Sequence, residues 1–200
     1  ENNTCFVRKM QDQQNILTIK DLQIGYPSKK NGWNVLFNKI NLQGKSGELI
    51  ALVGKNGIGK STLLRNISGL QKPINGNICF FDKQKEEYSR VEFARMVSFV
   101  STEIVNVSNL SVFDLVSLGR FPHTNWFGKL GSSDIVKSKR ALEMVGMSSF
   151  DRKNINEISD GERQRVMIAR TLAQDTRIIV LDEPTAFLDL PNKYEIVHLL

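Results

Sequence analysis

Gly54-Lys55-Asn56-Gly57-Ile58-Gly59-Lys60-Ser61 fits the pattern G-x-x-x-x-G-K-[ST]. The chemistry this spacing suits is phosphate binding. Its glycines let the backbone turn tightly, so that successive N–H groups face one anion. Lys60 then reaches the β- and γ-phosphates of a nucleotide, and the Ser61 hydroxyl is a ligand for Mg²⁺. Lys55, Asn56, Ile58 and Thr62 belong to the same nucleotide-binding segment. A second group is Ile178-Ile179-Val180-Leu181-Asp182-Glu183, an apolar run delivering two acids. In open α/β sheets, ligand chemistry occurs at the C-terminal edge of the strands. Asp182 is placed to hold Mg²⁺, directly or through water. Glu183 is placed to face the γ-phosphate and polarise an attacking water.

These residues need particular elements to position them. Glu48-Leu49-Ile50-Ala51-Leu52-Val53 predicts a buried parallel strand leading into the glycine loop. Thr62 to Ile67 predicts a helix whose N-terminal dipole adds to the anion site. Upstream, Ile16–Ile19 with Leu22–Ile24, and Val35–Phe37 with Ile40–Leu42, alternate as strands about a turn at Tyr26–Gly32. They predict an antiparallel sheet. Strands are also expected at Gly76–Phe81 and Val97–Val100. Ser111 followed by Asp114 is a capping-box start for a helix over Val112–Leu118, stopped at Gly119. Further helices are expected over Asp134–Val145, Glu162–Ala173 and Asn192–Leu200. Residues 120–133 read as a long loop rich in glycine and aromatics, which favours a docking surface over a plain connector.

The chain has 200 residues, enough for one sizeable α/β domain or a core with an inserted subdomain. Its hydrophobic content of 40% and charged content of 24% are ordinary for a globular protein. A net charge of +6 suits a nucleotide, an anionic membrane surface or nucleic acid. No Lys/Arg run is dense enough to make nucleic acid the leading reading. Cys5 and Cys79 are far apart and lack metal-ligand spacing, so both are expected to be reduced thiols in a cytosolic protein. No apolar run approaches bilayer length, and Glu1–Thr4 lacks a signal-peptide pattern, so membrane contact is expected through a partner. The chain ends inside the expected last helix, which reads as a truncation.

Ile158-Ser159-Asp160-Gly161-Glu162-Arg163-Gln164-Arg165 resembles the signature sequence of ATP-binding-cassette (ABC) ATPases, LSGGQ followed by a basic stretch. The glycine loop, this segment, the Asp182-Glu183-Pro184-Thr185 strand end and Ala186-Phe187-Leu188-Asp189 occur in that family's order, over about residues 15–200. The resemblance implies an α/β P-loop NTPase with a RecA-like core, an N-terminal antiparallel β-subdomain and an inserted α-helical subdomain. It implies one ABC domain over 1–200, with residues 1–84 and 161–200 as core and β-subdomain and 85–160 as helical subdomain. It implies that Tyr26 stacks on adenine and that Asp189 lies in the D-loop. It also implies ATP and Mg²⁺ as ligands and a head-to-tail homodimer. There the signature residues Ser159, Asp160, Gly161 and Glu162 of one subunit meet the γ-phosphate held by the other. Ser159-x-x-Glu162 is equally a capping box, and both readings can hold together.

The sequence departs from the family pattern in three places. Asp160 stands for the usual first signature glycine and Glu162 for its glutamine, which places two acids near an anion site. The Q-loop glutamine is missing, so Thr102 or Glu103 must substitute at the metal. The switch histidine is expected beyond Leu200, because His198 is too close to Asp189. The isolated chain is therefore expected to be a weak ATPase. Leu115-Val116-Ser117-Leu118-Gly119-Arg120-Phe121-Pro122-His123 resembles the L-x-x-L-G-R-x-P segment of importers of iron–siderophore, haem and cobalamin type. That resemblance implies ATP-driven import through a permease docked on the helical subdomain, at the inner face of the cell membrane. A soluble ABC ATPase of translation or DNA repair is the alternative.

Overall fold

The computed structural model describes residues 14–28, 32–101, 109–125, 127–184 and 193. The chain divides into two compact units, Glu1–Glu87 and Tyr88–Leu200. In the first, strands β1 (Asn15–Ser28), β2 (Gly32–Lys45), β3 (Asn75–Phe80) and β4 (Lys83–Gln84) form an antiparallel sheet in the order β2-β1-β3-β4. Leu17 and Ile19 face the interior, and then Leu22 and Ile24 do so. Alternation alone cannot bury both odd and even positions. A bulge between Ile19 and Leu22 makes the change. Asp21 takes a positive φ of 46° there, and its N–H donates to Asn41 Oδ1 at 2.9 Å. The sequence break between Ile19 and Leu22 is thus a bulge inside one long strand. Tyr26 lies within β1, paired with Asn34, and the strand continues to Ser28 through the first residues of the expected turn.

Glu48–Val53 does not form the expected strand. The segment has no regular structure, with Leu49 84% and Val53 95% exposed. A buried parallel strand depends on neighbours at both edges and cover on both faces. The unit that contains this segment supplies an antiparallel sheet only. Helix α1 (Lys60–Ile67) follows the glycine loop as expected and buries Leu63, Asn66 and Ile67.

In the second unit, β5 (Val97–Val100) pairs in parallel with β6 (Ile178–Leu181). Helices α2 (Arg90–Met96), α3 (Val112–Ser117), α4 (Ser132–Met144) and α5 (Asp160–Ala173) are the α-helices among its longer described elements. Its core joins Val100, Val112, Leu115, Leu142, Ile155, Val166 and Ile168. The four helices start alike. Ser89, Ser111 and Ser159 cap α2, α3 and α5 and bond reciprocally with Glu92, Asp114 and Glu162 three residues on. At α4 the Gly131 N–H donates to Asp134 Oδ2 at 2.9 Å. Each acid satisfies an orphan backbone donor and sits at the positive end of the helix dipole.

The segment read as a loop from Arg120 begins as a 3₁₀ helix, Leu118–His123. This helix closes the C-terminal end of α5. Arg120 is buried and donates to the Ala173 carbonyl at 2.8 Å and to Asp134 Oδ1 at 2.9 Å. His123 Nε2 lies 2.9 Å from the Gln174 carbonyl, which can only accept, so that nitrogen carries the proton. Burial holds the His123 pKa below its ordinary value. A cation at a helix C-terminus is stabilised by the dipole, and these carbonyls would otherwise be orphaned. Gly119 permits the approach, since a Cβ there would collide with the Arg170 carbonyl oxygen.

Two expectations follow. Gly119→Ala should destabilise the second unit by about 1–3 kcal/mol, because the backbone of α5 cannot yield without moving the core. Urea unfolding followed by circular dichroism reads this as a lower midpoint. Glu162 supplies the other. The Ser159 N–H and then the Ser159 hydroxyl hold its carboxyl pKa below the ordinary carboxylate range. A depressed folded pKa contributes stability above the unfolded value, and that contribution is lost as pH falls through the folded value. Glu162→Gln should therefore lower the melting temperature at about pH 7 and leave it near the parent's at about pH 3.

Candidate functional site

The glycine loop, Gly54–Gly59, ends at α1. Gly57 and Gly59 adopt φ of 78° and 114°, a region that side-chain-bearing residues avoid. Gly59 is also crowded: a Cβ there would lie 3.0 Å from Leu36 Cδ1 and 3.2 Å from Phe37 Cε2 on β2. Lys60 Nζ folds across the loop and donates to the carbonyls of Gly54 at 2.8 Å and Lys55 at 3.0 Å. The ammonium is therefore held over the loop, with a third donor available to an anion.

Helix α1 begins unlike the four helices above. Its N-cap is Gly59, in left-handed conformation, with no side-chain cap and no acid in its first turn. With no side-chain cap and no acid in that turn, the dipole of α1 is not answered by an acid of its own helix, which suits an anion. Ser61 and Thr62 sit in that first turn. Among nucleotide-loop residues named from the sequence, the structure brings Gly54 to Thr62 into one loop-and-helix start. Tyr26 is half exposed on β1.

The second unit holds the acids. β6 ends at Leu181, and Asp182 N–H continues its ladder by donating to the Val100 carbonyl at 3.0 Å. Asp182 is buried, whereas Glu183 is exposed and takes a positive φ of 48°. Pro184 follows, and its carbonyl accepts from Gln164 Nε2 at 3.1 Å. That backbone conformation at Glu183 is rare for a residue bearing a side chain, and such conformations cluster where function requires them. No spacing rule in the sequence announces it.

The signature segment lies at the start of α5 in the same unit. Ser159 N–H and Oγ each donate to Glu162 Oε2 at 2.8 Å. Asp160 Oδ1 pairs with Arg163 Nη1 at 2.9 Å. Glu162 thus turns onto its own helix terminus, and Asp160 is neutralised by a neighbour one turn on. The negative charge of Glu162 occupies the place an incoming anion would take. The roles of Arg120 and His123 at α5 were not readable from their motif, since their partners lie some fifty residues away. Cys79 is a free, partly buried thiol. Asp189, Thr102, Glu103, Cys5, His198 and, apart from Lys193, the helix expected over 192–200 lie outside the described residues.

The family model described as ABC transporter matches residues 37–186. An iron(3+)-hydroxamate import ATP-binding protein of Bacillus subtilis is 38% identical over 186 residues, covering 93% of this chain and 67% of the relative. A petrobactin import ATP-binding protein of Bacillus anthracis is 35% identical, covering 94% and 67%. An ABC transporter ATP-binding protein of Methanocaldococcus jannaschii is 40% identical, covering 92% and 62%. The chain therefore spans about two thirds or less of the length of these relatives. Among solved structures, a metal-chelate type ABC transporter in an inward-facing conformation matches with TM-score 0.77 and 31% identity, covering 92% of this chain and 67% of that one. A dimeric ATP-binding cassette in a post-hydrolysis state, bound to ADP and Pi, matches with TM-score 0.79 and 26% identity, covering 92% and 81%. With its fold that of the P-loop NTPases and three quarters of its length inside the family model, the chain belongs to the ABC transporter family as an ATP-binding-cassette domain.

Proposed function

We propose that this chain is the ATP-binding and ATP-hydrolysing part of an ABC import system for a ligand of iron–siderophore, haem or cobalamin type. The observation that carries the proposal is the open N-terminus of α1 behind Lys60. Relatives named for petrobactin and iron(3+)-hydroxamate import support the choice of cargo class. The loop N–H groups and Lys60 hold the β- and γ-phosphates, and Tyr26 stacks on the adenine. Glu183 accepts the proton of the attacking water.

Ser61 and Asp182 fit Mg²⁺. A hydroxyl and a carboxylate are hard oxygen donors, and Mg²⁺ keeps several waters, so few protein ligands suffice. Thr102 or Glu103 is the proposed additional ligand. The bound ion would neutralise charge on the phosphoryl oxygens. The proposed core comprises residues 1–84 and 161–200, with 85–160 as helical subdomain.

Two copies act head to tail, with Ser159 and Gly161 of one serving the nucleotide of the other and Asp189 in the loop between them. The dimeric cassette among the structural relatives supports this. Among the described residues no helix is long and apolar enough to cross a membrane. Membrane attachment is proposed to come from a permease docked on the helical subdomain, at the inner face.

Paired variants of the full-length protein test the assignment. Lys60→Ala should weaken ATP binding roughly ten- to a hundredfold, the scale of a charge-assisted hydrogen bond at about 1.5–3 kcal/mol. Glu183→Gln should keep ATP affinity and lower kcat by roughly 10²–10⁴. Calorimetry and steady-state phosphate release separate the two effects. Parent-like ATP affinity in the first variant, or a parent-like rate in the second, overturns the corresponding role.

A further inference from the structure

We infer that Gln164 is a positioning residue, whose side-chain amide fixes the backbone turn that aims Glu183 and so ties the signature helix to the water-activating acid within one chain. This rests on the proposed role of Glu183. Three observations on the second unit lead to it. The first is the φ of 48° at Glu183. A left-handed conformation at a residue with a Cβ persists only where the surroundings over-determine it.

The second observation is that hydrogen bonds bracket the turn. On one side Asp182 N–H donates to the Val100 carbonyl at 3.0 Å, carrying the β5–β6 ladder one residue past Leu181. On the other, Gln164 Nε2 donates to the Pro184 carbonyl at 3.1 Å. Proline has no N–H, so its carbonyl is the backbone group by which the far side of the turn can be held. Glu183 itself is exposed, so the backbone beneath it is what can set its direction.

The third observation is the anchorage of the donor. Gln164 stands on α5 two residues before the buried run Val166-Met167-Ile168-Ala169. The same helix is capped by Ser159 at its start and held by Arg120 at its end. Gln164 is therefore a rigid strut. A shift of the first turn of α5, where Ser159 and Glu162 lie, would be passed to the Pro184 carbonyl. Sub-ångström misplacement of a reacting group is enough to slow catalysis substantially.

The test uses the full-length protein in its transporter complex, reading ATP affinity, KM and kcat. Gln164→Leu and Gln164→Glu both remove the donor. Each should lower kcat on the order of tenfold with KM and ATP affinity unchanged. Gln164→Lys, which restores an N–H donor of similar reach, should recover most of the lost rate. A role confined to holding α5 in place would move KM and melting temperature together and would not be rescued by lysine, and that result overturns the inference. Glu183→Gln serves as the control. If it abolishes hydrolysis while both donor-less variants keep the parent kcat, the Gln164 assignment falls and that of Glu183 stands. If Glu183→Gln keeps the parent rate, the underlying reading of Glu183 falls instead. Should Gln164→Leu fail to fold, the Glu and Lys variants carry the comparison.

Discussion

Every α-helix leaves its first backbone N–H groups without partners, and how this chain deals with that constraint organises it. At α2, α3, α4 and α5 an acid at the third helical position folds back onto the residue before the helix. The donors are consumed and the dipole is answered from within. At α1 the same position is Thr62, the cap is a left-handed glycine, and no acid is present in the first turn. An anion from outside can complete that helix. The glycine loop, the lysine lying over it and the crowding of Gly59 against Leu36 and Phe37 all serve to keep that end open and shaped.

The second unit depends on α5 in a complementary way. Its start is closed by Ser159 and Glu162, its end by Arg120, and one face lies in the core. Between these points it touches the turn that carries Glu183. In the Arg120–Asp134 pair the guanidinium is buried and the carboxylate partly exposed, so losing Asp134 leaves a buried cation with the Ala173 carbonyl as its other partner. The Leu118–His123 helix, part of the Leu115–His123 run that resembles importers of iron–siderophore, haem and cobalamin type, therefore has a structural duty at α5. Glu162 gives this chain a signature whose helix terminus already holds a negative charge. In the proposed head-to-tail dimer, an incoming γ-phosphate would have to displace it or tolerate it.

Much of this was legible from local patterns. Ser111 with Asp114 and Ser159 with Glu162 announce their helices, because a capping box involves residues only three apart. The glycine loop and the apolar strand ending in acids are equally local. What could not be read involves distance or context. Glu48–Val53 is apolar enough for a buried strand, but burial requires neighbours, and its own unit offers none in parallel. The contacts of Arg120 and His123 with the end of α5 join residues more than fifty positions apart. The bulge at Asp21 was visible only as a break in alternation, since Asn41 on the opposite strand sets its geometry. The strained φ of Glu183 has no sequence signature at all.

The central claim, that α1 is kept open for a phosphate, is tested most directly at Thr62. Thr62→Glu would place an acid where the other four helices carry one, able to fold back onto the Gly59 N–H. Calorimetric titration with ATP should then show affinity lower by roughly tenfold or more, because the added carboxylate occupies and repels at the anion site. The melting temperature of the nucleotide-free protein should hold or rise, as a capped helix predicts. Parent-like ATP affinity in Thr62→Glu would contradict the account.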